Sequence, residues 1–429
     1  MRILVTGAYG FIGSHIASAL HAAGHEVIAA VRWPDTHGRF GHWPAVVCDF
    51  ARDTQVGNWL SRLSEVDAVV NCAGILRETR NQSFAAVHVE TPKALFAACV
   101  QAGVKKVVQI SALGHPADGE FIRSKHAADD FLSGLDLDWV ILRPSVVYSP
   151  AGSYGGTSIL RALAALPFAL FLPGAGRQRL QPIAAEDLAR AVTRLIDSDA
   201  GNRRLVEAVG PEPVTLADYL RAFRRWLGVS GSRTINIPLF LVRPFVWLGE
   251  FLGHGPLGMT MYRMLQRGNV ASPGGAETCA SLTGFRPRSL AETLSAAPSH
   301  VQDRWHARLY LLAPLLRVTM AIVWIGSGVA GLLYPLDESA LLLAIAGVPA
   351  AAATPLVLAA SGVDLALGLL VLTRYARFAA GFMLVSVIAY TLFLGIALPG
   401  LWLEPFGALI KNLPLIPSLL MMLVFLDRR

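Results

Sequence analysis

Between Tyr310 and Leu426 the chain carries only eight charged residues: Arg317, Asp337, Glu338, Asp364, Arg374, Arg377, Glu404 and Lys411. Four apolar stretches fill that region, at about 309–334, 340–373, 376–398 and 405–426. Each supplies the ~20 residues that a helix needs to cross hydrocarbon. Backbone in hydrocarbon must satisfy its own hydrogen bonds, so such stretches predict an all-α four-helix transmembrane bundle. The second stretch is interrupted by Pro349 and Pro355. Its Ala/Gly/Pro-rich first part suits a re-entrant or interfacial piece, with the crossing proper from about residue 355. Four buried helices of a soluble core are the alternative, and the flanking charges argue against it. Arg304 and Arg308 precede the first stretch, Arg374 and Arg377 separate the second from the third, and Arg428 and Arg429 end the chain. The other two loops hold Asp337, Glu338 and Glu404 and no basic residue. The positive-inside rule then predicts a multi-pass protein of the cytoplasmic (inner) membrane, with both termini and the N-terminal part in the cytoplasm.

The remainder of the chain reads differently. Residues 2–6 are a short apolar strand, 11–23 have helical spacing, Gly24 ends that helix, and 27–31 form the next strand. Strands follow near 46–48, 68–71, 106–110 and 139–142, with helices near 55–63, 82–102, 124–135 and 185–196. This alternation predicts an α/β fold, a doubly wound parallel sheet covered on both faces. From about 148 to 304 the pattern loosens into a small substrate subdomain. There the segment 237–256 suits either a helix covering a cleft or an amphipathic helix on a membrane surface. The predicted organisation is therefore a nucleotide-binding domain over 1–300, a linker over 301–308 and a membrane domain over 309–429. The net charge of +7 comes from scattered residues with no Lys/Arg run, which excludes a nucleic-acid partner and suits the anionic lipids of a cytoplasmic leaflet. Cys48, Cys72, Cys99 and Cys279 lack metal-ligand spacing and read as reduced thiols, and no metal site is expected. With a strand starting at Arg2, no signal peptide is expected.

The segment TGAYGFIG, from Thr6 to Gly13, lies between the first strand and the first helix. Gly7, Gly10 and Gly13 allow a tight turn and let backbone N–H groups approach a pyrophosphate at the helix N-terminus. A carboxylate closing the second strand would accept ribose hydroxyls; here Arg32 stands there, followed by Trp33. Arg32 can pair with a 2′-phosphate, which favours NADP(H), with NAD the alternative. Asp49 is placed to accept from the adenine amino group or to cap the next helix. The region to about residue 300 resembles the extended and atypical short-chain dehydrogenase/reductases, a Rossmann-fold group that includes NAD-dependent epimerase/dehydratase-like proteins. Within it the similarity points to the accessory dehydrogenase-like subunit of respiratory complex I. The resemblance rests on TGAYGFIG, on CDF with Asp49 and Phe50, on NCAG at 71–74, on LRPSVVYSP with Arg143 and Pro144, and on QPIAAEDLARAV with Asp187. It implies cofactor contacts from Thr6, Gly7, Gly10, Phe11, Ile12, Gly13, Arg32, Asp49, Phe50, Cys72, Ala73, Gly74, Lys125 and Pro144.

That group's catalytic core is a Ser or Thr followed by Tyr-x-x-x-Lys on a helix, where the Tyr exchanges the proton that accompanies hydride transfer. Ser111 and Lys125 match as catalytic candidates, but Phe121 takes the Tyr position. Phenylalanine cannot exchange a proton. In one reading, Ser111 and Lys125 still hold the nucleotide of a membrane-anchored oxidoreductase. Its substrate is a small molecule or a quinone, and such an acceptor does not need the Tyr in the same way. In another, the domain binds nucleotide without turnover, as a sensor or assembly protein. A third, a nucleotide-sugar epimerase or dehydratase, has the missing Tyr and the membrane region against it. Tyr148 and Tyr154 follow the sixth strand, as packing residues or near the cleft. Glu120 and Arg123 are near the site in sequence only.

Ionisable residues inside a span are costly and therefore functional candidates. At ~1.5 Å per residue, Arg317 lies roughly 12 Å from the cytoplasmic end, Asp364 roughly 13–15 Å and Lys411 roughly 22 Å. An intramembrane Arg317–Asp364 contact is expected from the similar depths, as a polar staple or a proton or quinone-headgroup site. With GVDLALGLLVL around Asp364 and IKNLPLI around Lys411, this region resembles the DoxX-like family of small four-helix membrane proteins.

Overall fold

The computed structural model describes residues 1–35, 43–231, 233–251, 259–404, 407 and 409–427. Arg428 and Arg429 lie outside the described residues, as do 252–256 of the apolar segment and 405, 406 and 408 of the fourth apolar stretch. The chain divides into two compact units, Met1–Arg308 and Leu309–Arg429. The segment 301–308, expected as a linker, is helical, being the start of the helix Val301–Leu333.

The first unit is built on β1 (Arg2–Thr6), β2 (Glu26–Val31), β3 (Ala45–Val47), β4 (Ala68–Asn71), β5 (Lys106–Ile110), β6 (Asp138–Pro144) and a seventh strand, Arg204–Ala208. All pair in parallel, in the order Arg204–Ala208, β6, β5, β4, β1, β2, β3. The strand order reverses beside β1, which opens a crevice at the carboxyl ends of β1 and β4, where ligands of such sheets bind. Successive side chains leave a strand on opposite faces. Ile3 and Val5 pack with Ile16 and Leu20 of the helix α1 (Phe11–Ala22) and with Leu188 and Val192 of the helix Ala185–Ile196. Leu4, Val69 and Val107 pack on the other face with Leu95, Phe96 and Leu132. Each such buried aliphatic side chain stabilises the fold by ~1.5–3 kcal/mol. A third core, around Tyr148, Tyr219, Phe223 and Leu294, holds the substrate subdomain together.

Three helices among the described residues are long and apolar enough to cross a membrane: Val301–Leu333, which runs into the second unit, and Ala350–Leu370 and Ala376–Ala397 within it. Of the expected fourth span, the described residues form a shorter apolar run, Ile410–Phe425, in which a 3-10 turn at Ile410–Asn412 leads into the helix Leu415–Phe425. Pro414 sits at the start of that helix, where its missing N–H costs no helical hydrogen bond. The second stretch breaks at Gly347 (φ +93°) and Pro349 into Leu336–Ile345 and Ala350–Leu370, so its long helix starts before Pro355 rather than at it.

The expected Arg317–Asp364 contact is also corrected. Arg317 Nε donates to the Val371 carbonyl (2.6 Å) and its Nη2 to the Thr373 carbonyl (2.7 Å). Asp364 Oδ2 instead accepts from Ser327 Oγ (2.9 Å). Asp364 precedes Val371 by seven residues, roughly 10 Å along a helix, so the guanidinium meets the open carbonyls of the helix end first. Lys411 lies exposed on the Ile410–Asn412 turn.

Candidate active site

Thr6 ends β1 beneath the crevice. Its buried Oγ1 donates to Asn71 Oδ1 (2.5 Å), and Asn71 Nδ2 donates to Gln109 Oε1 (2.7 Å), which ties the ends of β1, β4 and β5 together. Thr6 Oγ1 also accepts from the N–H groups of Cys72 (3.1 Å) and Ala73 (3.2 Å), fixing the NCAG turn. Gly7 adopts φ +62°, and a Cβ there would lie 3.2 Å from the Ala73 backbone. At Gly13 a Cβ would come within 2.2 Å of the Gly7 carbonyl oxygen, so α1 can pack on the turn only without a side chain. Phe11 and Ile12 open α1, half-buried, and no acidic residue stands in its first turn. The exposed helix N-terminus therefore keeps its partial positive charge for an anion.

Arg32 and Asp49 meet at the ends of β2 and β3. Arg32 Nε lies 3.4 Å from Asp49 Oδ1, and both side chains are partly exposed. Asp49 Oδ1 also accepts from the Ala51 N–H (3.0 Å), which closes a local turn, whereas the next helix, Gly57–Leu60, has Val56 at its N-cap and no side-chain cap. Phe50 is in the core, edge-on to Trp59 at 5.5 Å. Trp33 is exposed.

Lys125 comes up from the helix Glu120–Ser133, buried, and donates to the carbonyls of Ala73 (3.0 Å) and Ile110 (3.2 Å). Burial lowers its pKa to about 8, against the pull of Asp129. Gly74 leaves room for it, since a Cβ there would sit 3.0 Å from Lys125 Nζ. Ser111 Oγ donates to Asp129 Oδ2 (2.7 Å), the same oxygen that Arg143 Nε reaches at 2.9 Å. Burial raises the Asp129 carboxyl above the usual carboxylate range, opposed by the Ser111 and Arg143 bonds. Cys72 stays a thiol, because burial pushes it up to about 12. Pro144 ends β6, and its carbonyl accepts from Leu113 N–H (2.9 Å).

Phe121 lies one turn before Lys125, its ring edge-on to His88 at 5.5 Å and to Phe84 at 6.2 Å. His88 is buried. Its Nε2 accepts from the Ile75 N–H (3.0 Å), which leaves the proton on Nδ1 to reach Ser124 Oγ (2.9 Å). Burial and the nearby Lys125 charge lower its pKa to about 2, so it is neutral and its ring offers no acid in place of a tyrosine. Tyr148 belongs to the substrate-subdomain core, and Tyr154 is exposed. Glu120 and Arg123 are exposed and pair with each other at 2.5 Å. The structure thus gathers Thr6, Gly7, Cys72, Ala73, Gly74, Ser111 and Lys125 around the strand ends. It adds His88 and Asp129, which the sequence reading did not single out. Asp129 had a signal, standing four residues after Lys125 on the same helical face; His88 had none short of the fold.

Residues 3–207 match the NAD dependent epimerase/dehydratase family. An epimerase family protein of Mycobacterium bovis is 30% identical over 282 residues, covering 59% of this chain and 87% of that protein. The chain belongs to this epimerase family. Among solved structures, MoeE5 in complex with UDP-glucuronic acid and NAD superposes with a TM-score of 0.52 at 21% identity, over 70% of this chain and 97% of its own. That likeness establishes the Rossmann-type fold of the epimerase unit. The mitochondrial NADH dehydrogenase (ubiquinone) 1 alpha subcomplex subunit 9 of Mus musculus is 24% identical over 263 residues, 59% of this chain and 67% of that subunit. Residues 321–421 match the DoxX-like family, so this epimerase-family chain carries a C-terminal DoxX-like domain with membrane-capable helices.

Proposed function

We propose that the chain is a membrane-anchored oxidoreductase that binds NADP(H) in preference to NAD(H) and passes reducing equivalents to a membrane acceptor such as a quinone. The observation that carries this reading is the split at the catalytic helix. Lys125 is buried and held at the carbonyls of Ala73 and Ile110, while the proton-donating position is Phe121 among Phe84 and His88. The nucleotide-holding half of the motif is kept and the carbonyl-protonating half is lost. Bound NADPH supplies hydride. Lys125 would hold its nicotinamide ribose, the turn over Gly7 and Gly13 its pyrophosphate, and Arg32 its 2′-phosphate, exchanging Asp49 for the phosphate. The arginines at 304, 308, 374 and 377, set against Asp337, Glu338 and Glu404, support an inner-membrane, multi-pass placement with the epimerase unit in the cytoplasm.

Purified protein in nanodiscs should oxidise NADPH when a short-chain quinone is added, read from the loss of NADPH absorbance. Tight NADPH binding with no turnover on any quinone overturns the redox reading. That outcome favours the second one, a nucleotide-sensing or assembly protein, which the apolar surroundings of Phe121 support. Phe121→Tyr separates the two further: gain of carbonyl reduction shows an otherwise complete active site.

A further inference from the structure

The helix Leu239–Phe251 and the helix Met259–Arg267 of the first unit are used by nothing above. On the first of these, Phe240, Arg243, Pro244 and Trp247 recur at three- and four-residue spacing and form one exposed stripe. Phe240 is 72% exposed and Trp247 63% exposed, while Val246 points inward and is buried. Between the two helices runs an open groove of about 570 Å³, lined by Phe240, Trp247, Met259 and Tyr262 with Arg243 at its side. Arg243 and Arg263 are exposed, whereas Arg267 is spent on Asp118, at 2.7 Å.

We propose that this pair of helices is a lipid-docking surface that lies on an anionic leaflet, its aromatic rings at headgroup depth and Arg243 and Arg263 on lipid phosphates. Three features argue for a bilayer as the occupant. An aromatic stripe next to arginines is the composition of interfacial helices, with Trp and Tyr at the headgroup level and Arg stems lying along apolar surface. Among the described side chains of these helices the exposed charges, Arg243 and Arg263 with Arg267, are positive and complement an anionic leaflet. The same chain reaches its first membrane-capable helix, Val301–Leu333, soon after Arg267 in sequence, so a bilayer is tethered nearby and a weak surface affinity suffices. Docking has a consequence for the site. Arg267 grips Asp118 with Nε and Nη2 (3.0 and 2.7 Å), on the loop between Ser111 and Phe121, so the docked helices flank the mouth of the cleft. The inference rests on the membrane reading and not on turnover.

The test uses the full chain in nanodiscs holding one copy each, with a nitroxide on Phe240→Cys, on Leu392→Cys in the helix Ala376–Ala397 and on Leu60→Cys in the first unit. The unmodified chain gives the labelling background of Cys72. Collision with oxygen should exceed collision with a water-soluble nickel chelate severalfold at 240 and 392, but not at 60. Replacing anionic lipid with phosphatidylcholine, or Arg243→Glu, should move position 240 toward water. A water-like label at 240 with a lipid-like label at 392 overturns docking and leaves the membrane reading standing; water-like labels at both overturn both. A lipid-like signal at 240 that appears only in discs with two copies overturns docking in favour of a self-association surface. Unchanged NADPH affinity of Phe240→Cys verifies that the labelled chain is folded.

Discussion

Lys125 and His88 meet over Gly74, and burial disfavours a positive charge on both. A Cβ at Gly74 would lie 3.0 Å from Lys125 Nζ and 3.4 Å from His88 Nε2, so the cation and the imidazole share one small space. Burial first, and then the neighbouring Lys125 charge, exclude a second positive charge there, which is why His88 falls to about 2. Its folded pKa is depressed below the unfolded value, so the unfolded chain binds the extra proton. The stability this affords is present above ~6.5 and is lost as pH falls toward the folded value. Between pH 6.5 and 4.5 the first unit should lose on the order of 2–3 kcal/mol from this group. Denaturant unfolding across that range should show the loss, and His88→Asn should flatten it; an equal slope in both proteins would show that other groups dominate. Arg32 invites a different measurement. Its guanidinium is half exposed and lies beside Asp49, so a 2′-phosphate can take the place of the carboxylate. Arg32→Asp should weaken NADPH binding by ~10-fold or more, about the worth of one charge-assisted contact, and leave NADH nearly unchanged. Titration by intrinsic fluorescence checks this, and equal affinities in both proteins would remove the cofactor preference.

At the scale of elements, the first six strands and α1 were legible because periodicity, Gly24 and the Gly-rich turn agree with one another. The strand Arg204–Ala208 was not, since five residues with two charged side chains carry little period-2 signal until β6 is there to pair with it. The same holds for the nucleotide site. Its Gly turn, Arg32 and Lys125 could be read from the chain, while the Thr6–Asn71–Gln109 tie and the Ser111–Asp129 bond depend on strand register. In the DoxX-like domain, hydropathy located the apolar stretches but not where helices stop. That is decided at Gly347, Pro349 and Pro414, and by Arg317. Its two bonds close the carbonyls of Val371 and Thr373 at the end of the helix, and the Thr373 carbonyl also accepts from the Ala376 N–H (3.2 Å). Arg317→Met keeps the stem and removes the donors, and should destabilise the second unit by about 1–3 kcal/mol. Thermal unfolding in detergent followed by circular dichroism measures it; a variant as stable as the parent would mean that those carbonyls are already solvated. Close helix approach supports the same element. At Gly368 a Cβ would lie 2.9 Å from the Ile325 backbone nitrogen, so Ala350–Leu370 and Val301–Leu333 touch through a small residue.

For the whole molecule, two folds with different solvents share one chain, and each has its own core. The first buries the sheet between Ile16, Leu20, Leu188 and Val192 on one side and Leu95, Phe96 and Leu132 on the other. The second buries Met320, Trp324, Leu367, Met383 and Leu419 among its own helices. Cores that share no residues can unfold separately, and a nucleotide held by Gly7, Gly13 and Lys125 binds only the first. Ligand that binds the folded state alone adds ~2.7 kcal/mol at a hundred times its Kd, to the unit that holds it. Calorimetry of the full chain in nanodiscs should therefore show two transitions. Saturating NADPH should raise one of them by several degrees and leave the other in place. The raised transition should be the one that vanishes on proteolysis of the first unit. Should both transitions rise together, nucleotide occupancy would be felt across the boundary at Arg308, and the DoxX-like domain would be a coupled partner of the epimerase unit rather than its anchor.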